Sequence, residues 1–253
     1  MYMSDLCLVI NTCKGYYLNI NNLIEQIISL DINKTIPREN ILIVSGQEDE
    51  NSVIYQNDIK IVKVTYTGLH LTSCIYIYEN MNEFKNKFNY FFILPDTIKF
   101  GNNFFNTLND FYHNNIKNSN MSSFPLLNMS VRPTMDIGIL HHTHITNMCE
   151  YLNKVKIYQP YTKDDLKKLK LKLVYCENMI LGLPSYWPKD HLFDFENKIA
   201  PNTVHPILNN KNDITENIII QHNRKINQVY FKKFDLYKFQ RNFNIDNELV
   251  LDF

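Results

Sequence analysis

Short apolar runs alternate along the first half of the chain with longer stretches whose apolar residues recur every three or four positions. Leu6 to Ile10 is one such run and predicts a buried strand. Leu23, Ile24, Ile27, Ile28 and Leu30 fall on one face of a helix over Asn19 to Leu30. Ile41 to Val44 predicts a second strand, ended by Ser45-Gly46, and Ile59 to Thr65 a third, mostly buried one. Leu71, Ile75, Tyr78 and Met81 give Leu71 to Phe84 a helical spacing, and this stretch leads into Tyr90-Phe-Phe-Ile-Leu-Pro-Asp96. That run is short, aromatic and bounded by Asn89 and Pro95-Asp96, which fits a strand covered on both faces. A further helix is expected over Asn102 to Tyr112, with Phe104, Phe105, Leu108 and Phe111 on one side.

The resulting order of strand, helix, strand, strand, helix, strand, helix implies an α/β fold. Its central sheet is expected to be mainly parallel and flanked by helices, because parallel neighbours need crossovers. The second half has a weaker pattern. Asn114 to Ser123 reads as a polar loop, while Leu126 to Val131 and Asp136 to Leu140 either pair as a hairpin or extend the sheet. Helices are expected at Asn147 to Val155 and Asp164 to Leu171, and strands at Leu173 to Cys176, Asn217 to Gln221 and Val229 to Phe234. Prolines at 184, 188, 201 and 206 interrupt the region between them. With no repeat and no long linker, residues 1–253 are expected to form one domain with an irregular C-terminal portion.

Composition narrows the function classes. Lys plus Arg and Asp plus Glu number 26 each, so no global field attracts nucleic acid or an anionic membrane surface. No apolar stretch approaches the roughly 20 residues of a membrane span, and no basic leader precedes Leu6. The expectation is a soluble, cytoplasmic protein. Five scattered cysteines without a Cys-x-x-Cys pair read as reduced thiols, Cys7 and Cys74 as small apolar residues. Richness in Asn, Ile, Lys and Tyr looks like the coding bias of an AT-rich genome, as in giant DNA viruses, some bacteria and protists. For a viral source the compartment would be the host cytoplasm. No Gly-x-Gly-x-x-Gly, Walker loop or Gly-x-Ser-x-Gly elbow is present, which demotes dinucleotide oxidoreductases, P-loop enzymes and serine hydrolases.

The chemistry centres on Asp96. An acid at the end of a buried strand sits at the carboxyl edge of the sheet, where open α/β folds bind ligands. The competing reading makes it a turn or capping acid. In Met135-Asp-Ile-Gly-Ile-Leu-His-His-Thr-His144, a strand would put His142 and His144 on one face, where both meet one ligand or metal; structural histidines are the alternative. Thr67 to Ser73 joins a strand to a helix, and His70 there faces a phosphate or base unless the segment only caps the helix.

These elements and their end residues resemble the nucleotide-sugar-binding half of GT-A glycosyltransferases over roughly residues 5 to 112, leaving 113–253 as the acceptor half. The resemblance implies nucleotide contacts from Asn11, Thr12 and Lys14 after the first strand, and from Glu48 and Asp49 after the second. It places Pro95-Asp96-Thr97 where the family has Asp-x-Asp, so Asp96 becomes the acid that holds Mn²⁺ or Mg²⁺ on the diphosphate, with Thr97 beside it. The second carboxylate of that motif is missing, which leaves His142 and His144 as candidate extra ligands. Asp136 is the candidate general base if the transfer inverts the anomeric centre, or else a turn acid. The implied partners are a UDP- or GDP-sugar donor and a glycan or protein acceptor. A non-catalytic α/β binding or assembly module and a nucleotidyltransferase are the alternatives.

Overall fold

A computed structural model describes residues 2–117, 123–127, 133–151, 156–158, 160–165, 168, 213–221 and 224–241. Its centre is a seven-stranded sheet in which four adjacent strands are parallel. In chain order these are β1 (Leu6–Cys13), β2 (Ile41–Gly46), β4 (Ile59–Lys63) and β6 (Tyr90–Pro95), and β3 (Ser52–Gln56) intervenes between the second and third. Across the sheet the order is β3, β4, β2, β1, β6, then β9 (Pro133–His141) and β8 (Ser123–Leu127). β3, β9 and β8 run antiparallel to their neighbours. Asp136–Leu140 thus extends the sheet within β9, and Leu126–Leu127 pairs with it as the end of β8, while 128–131 of the first segment lie outside the described residues.

Alternation along β1 explains how the sheet is covered. Leu6, Leu8 and Ile10 enter one apolar cluster with Ile20, Leu23, Ile24 and Ile27 of helix α1 (Tyr17–Leu30) and with Phe104 and Leu108 of α4 (Phe104–Phe111). Cys7 and Val9 enter the opposite cluster with Cys74, Ile75 and Ile77 of α2 (Thr72–Glu79) and Ile145 of α5 (His142–Tyr151). Period two in the strand and period 3.6 in the helices bury both faces at once. Burial pushes the Cys74 thiol up to about 12, in keeping with an inert core thiol.

Several expectations need revision. The helix over Leu71 to Phe84 is two, α2 and α3 (Met81–Phe84), because Asn80 leaves the helical region and turns its side chain onto the Tyr76 carbonyl at 2.8 Å. The loop expected from Asn114 begins as a π-helical turn, Tyr112–Ile116, with Ile116 buried. Helix α5 starts at His142, five residues before the expected Asn147. The next expected helix is helical at 163–165 and 168, and Leu173 to Cys176 lies outside the described residues.

A second sheet packs on the α1 side. β11 (Ile214–Gln221), β12 (Arg224–Phe231) and β13 (Leu236–Arg241) form an antiparallel meander that ends on β7 (Ile98–Phe100). β5 (Tyr66–Thr67) pairs with β10 (Ile157–Tyr158). Among the described residues no helix is long and apolar enough to cross a membrane.

Candidate functional site

The parallel strands read β4-β2-β1-β6 across the sheet, so successive connections move one way from β1 to β4 and then reverse to reach β6. The carboxyl ends of β1 and β6 therefore flank a topological switch point, the crevice where open α/β sheets take ligands. Asp96 follows β6 there, 9 % exposed, and its Oδ2 accepts a hydrogen bond from Thr12 Oγ1 at 2.6 Å. Its backbone N–H donates to the Asn11 carbonyl at 3.1 Å, which extends the β1–β6 register by one step. Burial pushes the Asp96 carboxyl up to about 6, against the opposing pull of the Thr12 hydroxyl and the residue's own backbone.

The side chain of Asn11 holds the other side of the crevice. Its Nδ2 donates to the Leu69 carbonyl at 3.1 Å, and its Oδ1 accepts from the Ser73 backbone N–H at 2.8 Å. Leu69 is left-handed, with φ 54°, a conformation costing an L-residue roughly 1–2 kcal/mol. Three side chains hold it there, since Thr67 Oγ1 accepts its N–H at 3.0 Å and Thr72 Oγ1 joins Asn11 on its carbonyl at 2.7 Å. Gly68 packs closely beside it: a Cβ there would stand 2.4 Å from Ile75 Cδ1 and displace the end of that side chain. His70 is half-buried in the 3₁₀ turn Leu69–Leu71 that follows.

On the β2 side, Glu48 is buried and takes hydrogen bonds from the Ser45 and Tyr17 hydroxyls, the latter at 2.5 Å. Asp49 is exposed and bound by Lys14 at 2.6 Å. Tyr17, which the pattern did not single out, is 42 % exposed at the rim. Lys63 Nζ lies 5.0 Å from its ring centroid. Desolvation, followed by the Glu48 carboxylate, pushes the Tyr17 phenol up to about 12, so it remains a donor at neutral pH. The available signal was position: the helix after β1 starts at the switch point, and an aromatic residue opens it.

The structure thus gathers Asn11, Thr12, Lys14, Glu48, Asp49, His70, Asp96 and Thr97 at one sheet edge, with Thr97 half-buried and its carbonyl accepting Phe239 N–H at 2.8 Å. Asp136 comes to the same edge. It precedes by two residues Gly138, the partner of Ile93, and β9 runs antiparallel to β6. Roles differ from the simplest expectation, however. Asn11 and Thr12 hold neighbouring protein groups, Glu48 has both carboxylate oxygens engaged, and Lys14 and Asp49 pair with each other.

The histidine cluster requires a correction. His142 opens helix α5, so His142 and His144 are not strand neighbours, and two positions along a helix are about 200° apart. His144 is buried while His142 is half-buried. His141, whose ring lies tilted against that of His142 with centroids 4.1 Å apart, pairs with Tyr90 at the opposite end of β6. Six residues of strand separate Tyr90 from Asp96, about 20 Å at 3.3 Å per residue. A cation bound by Asp96 is out of reach of these imidazoles.

Among the described residues no three His, Cys, Asp or Glu side chains converge on one point. A Mg²⁺- or Mn²⁺-diphosphate needs only one or two protein carboxylates beside phosphate and water oxygens. Asp96 is the carboxylate at the switch point that would hold it. No protein-family model matches the chain, and no curated protein does.

Proposed function

We propose that the chain is a glycosyltransferase of GT-A type, using a nucleotide-diphosphate sugar at the β1–β6 switch point. The observation that carries this reading is a buried, hydroxyl-anchored acid, Asp96, where the winding of the described parallel strands reverses. A divalent ion there would neutralise charge growing on the departing diphosphate. The chain's own residues supply the rest. Thr12 fixes the Asp96 carboxylate, Asn11 holds the Gly68–Ser73 segment against the crevice, and the Tyr17 ring, anchored through Glu48, offers an apolar face to a base or sugar. Asp136, on the same edge, is the base for an acceptor hydroxyl.

The test is thermal unfolding with UDP-glucose or GDP-mannose and Mn²⁺. A ligand at one hundred times its Kd stabilises the native state by about 2.7 kcal/mol, enough to move the melting temperature by several degrees. Wild type should shift with one of the two donors, and Asp96→Ala should not. A second reading is favoured by the engaged state of Glu48 and Asp49: a module that retains the fold and binds a partner without group transfer. Unchanged melting with both donors in wild type would select it.

A further inference from the structure

The seven-stranded sheet ends at β3, which among the described residues pairs only with β4. Its three central residues are exposed to an unusual degree for their type: Val53 at 49 %, Ile54 at 46 % and Tyr55 at 69 %. They are consecutive, so apolar surface faces out on both sides of the strand. Edge strands are ordinarily protected by a Lys, a Pro, a bulge or a covering segment, because their outward N–H and C=O groups otherwise recruit another strand. Ser52–Gln56 contains no charge and no proline, and its register with β4 runs unbroken from Ser52 to Gln56.

Charge at the two ends says what fits. Glu50 lies just before the strand and Asp58 in the turn just after it; both are exposed and neither forms an ion pair or hydrogen bond with a described residue. The neighbouring cations are occupied: Lys14 binds Asp49 at 2.6 Å, Lys60 binds Glu83 at 2.7 Å, and Lys63 lies over Tyr17. A second copy pairing antiparallel about Ile54 would set Glu50 against Asp58 at both ends, and like charges directly opposite each other destabilise a strand pair.

We infer that β3 is a docking edge for an extended segment of another protein, β-branched or aromatic at alternate positions and carrying Lys or Arg at each end. Main-chain bonds to the outer side of β3 supply affinity, and Val53, Ile54 and Tyr55 with the flanking acids supply selection. The edge is separate from the Asp96 crevice and does not depend on the proposed reaction.

Selection of a phage-displayed library of nine-residue peptides on the immobilised full chain tests this. The expected consensus alternates Val, Ile, Thr or Tyr with polar residues between basic ends. A synthetic peptide of that consensus should lose at least tenfold in affinity against Val53→Lys/Tyr55→Lys and against Glu50→Lys/Asp58→Lys, with unchanged far-UV circular dichroism. Failure to enrich any sequence, an acidic consensus, or binding indifferent to both variants overturns the assignment. So does a concentration-dependent dimer in sedimentation that Val53→Lys/Tyr55→Lys abolishes, since a second copy would then be the occupant.

Discussion

A carboxyl group held at about 6 in the folded chain, against a usual 3.8, binds its proton more tightly folded than unfolded. Between those two values the native state therefore carries more protons, and stability falls as pH rises. Fully ionised at neutral pH, Asp96 is a liability on the order of 2–3 kcal/mol to the ligand-free protein. Asp96→Asn keeps an acceptor for Thr12 without the buried charge. It should raise the urea midpoint at pH 7 while abolishing the donor-induced melting shift. His141 titrates in the same window with opposite sign: its pKa is lowered to about 4 by burial and by His142, so stability rises with pH there. Comparing Asp96→Asn with wild type at each pH between 4 and 7 cancels the His141 contribution. A difference that does not grow with pH would show that the carboxyl is not desolvated. Asn11 has a structural effect too. Asn11→Ala strands the Ser73 N–H and removes a donor from Leu69, so a loss of about 1–3 kcal/mol is expected in the same titration.

At the scale of elements, β1, β2 and β6 were legible as short unbroken apolar runs buried on both faces, and α1 by the helical spacing of its apolar residues. β3 was not. Its three central residues are exposed on both faces, so Ser-Val-Ile-Tyr-Gln shows neither alternation nor a buried run. The switch from β9 to α5 at His141–His142 was equally hidden, since no Gly or Pro marks it. It is fixed by tertiary contacts, the His142 N–H on the Asn89 carbonyl at 3.0 Å and the buried Ile145. Asp96 was readable as an acid ending an apolar run. The commitments of Asn11 and Thr12 were not, because they depend on which distant segment the folded sheet brings opposite each. The β3–β4 turn gives a local test. Asn57 and Asp58 have φ 51° and 65°, the left-handed pair of a type I′ turn, where glycine is favoured in second place. Asp58→Gly should stabilise by up to about 1 kcal/mol, seen as a higher urea midpoint at unchanged m-value. A lower midpoint would mean that the hairpin is not formed this way.

Across the whole molecule, the two sheets share one core. Val229, Phe231, Phe234 and Leu236 from the C-terminal meander lie in the same cluster as Leu8, Ile10, Phe92 and Phe104. Phe234 is fully buried, with its ring centroid 6.0 Å from that of Phe92 and 5.3 Å from that of Phe111. β13 also binds the chain immediately after the acid, through Phe239 N–H on Thr97 and the pairing of Leu236–Lys238 with β7. The meander thereby backs the segment that carries Asp96, although the strand that makes these bonds, β13, begins only at Leu236. Phe234→Ala should cost about 3–5 kcal/mol, the range for emptying a well-packed aromatic site. If the sheets unfold as one unit, far- and near-ultraviolet dichroism will fall together at a lower denaturant concentration. The donor-induced melting shift should then persist under conditions where the variant is still folded. Two separated transitions would instead mean that the meander melts alone, and loss of the donor shift after the first of them would show that the Asp96 segment depends on the meander for its geometry.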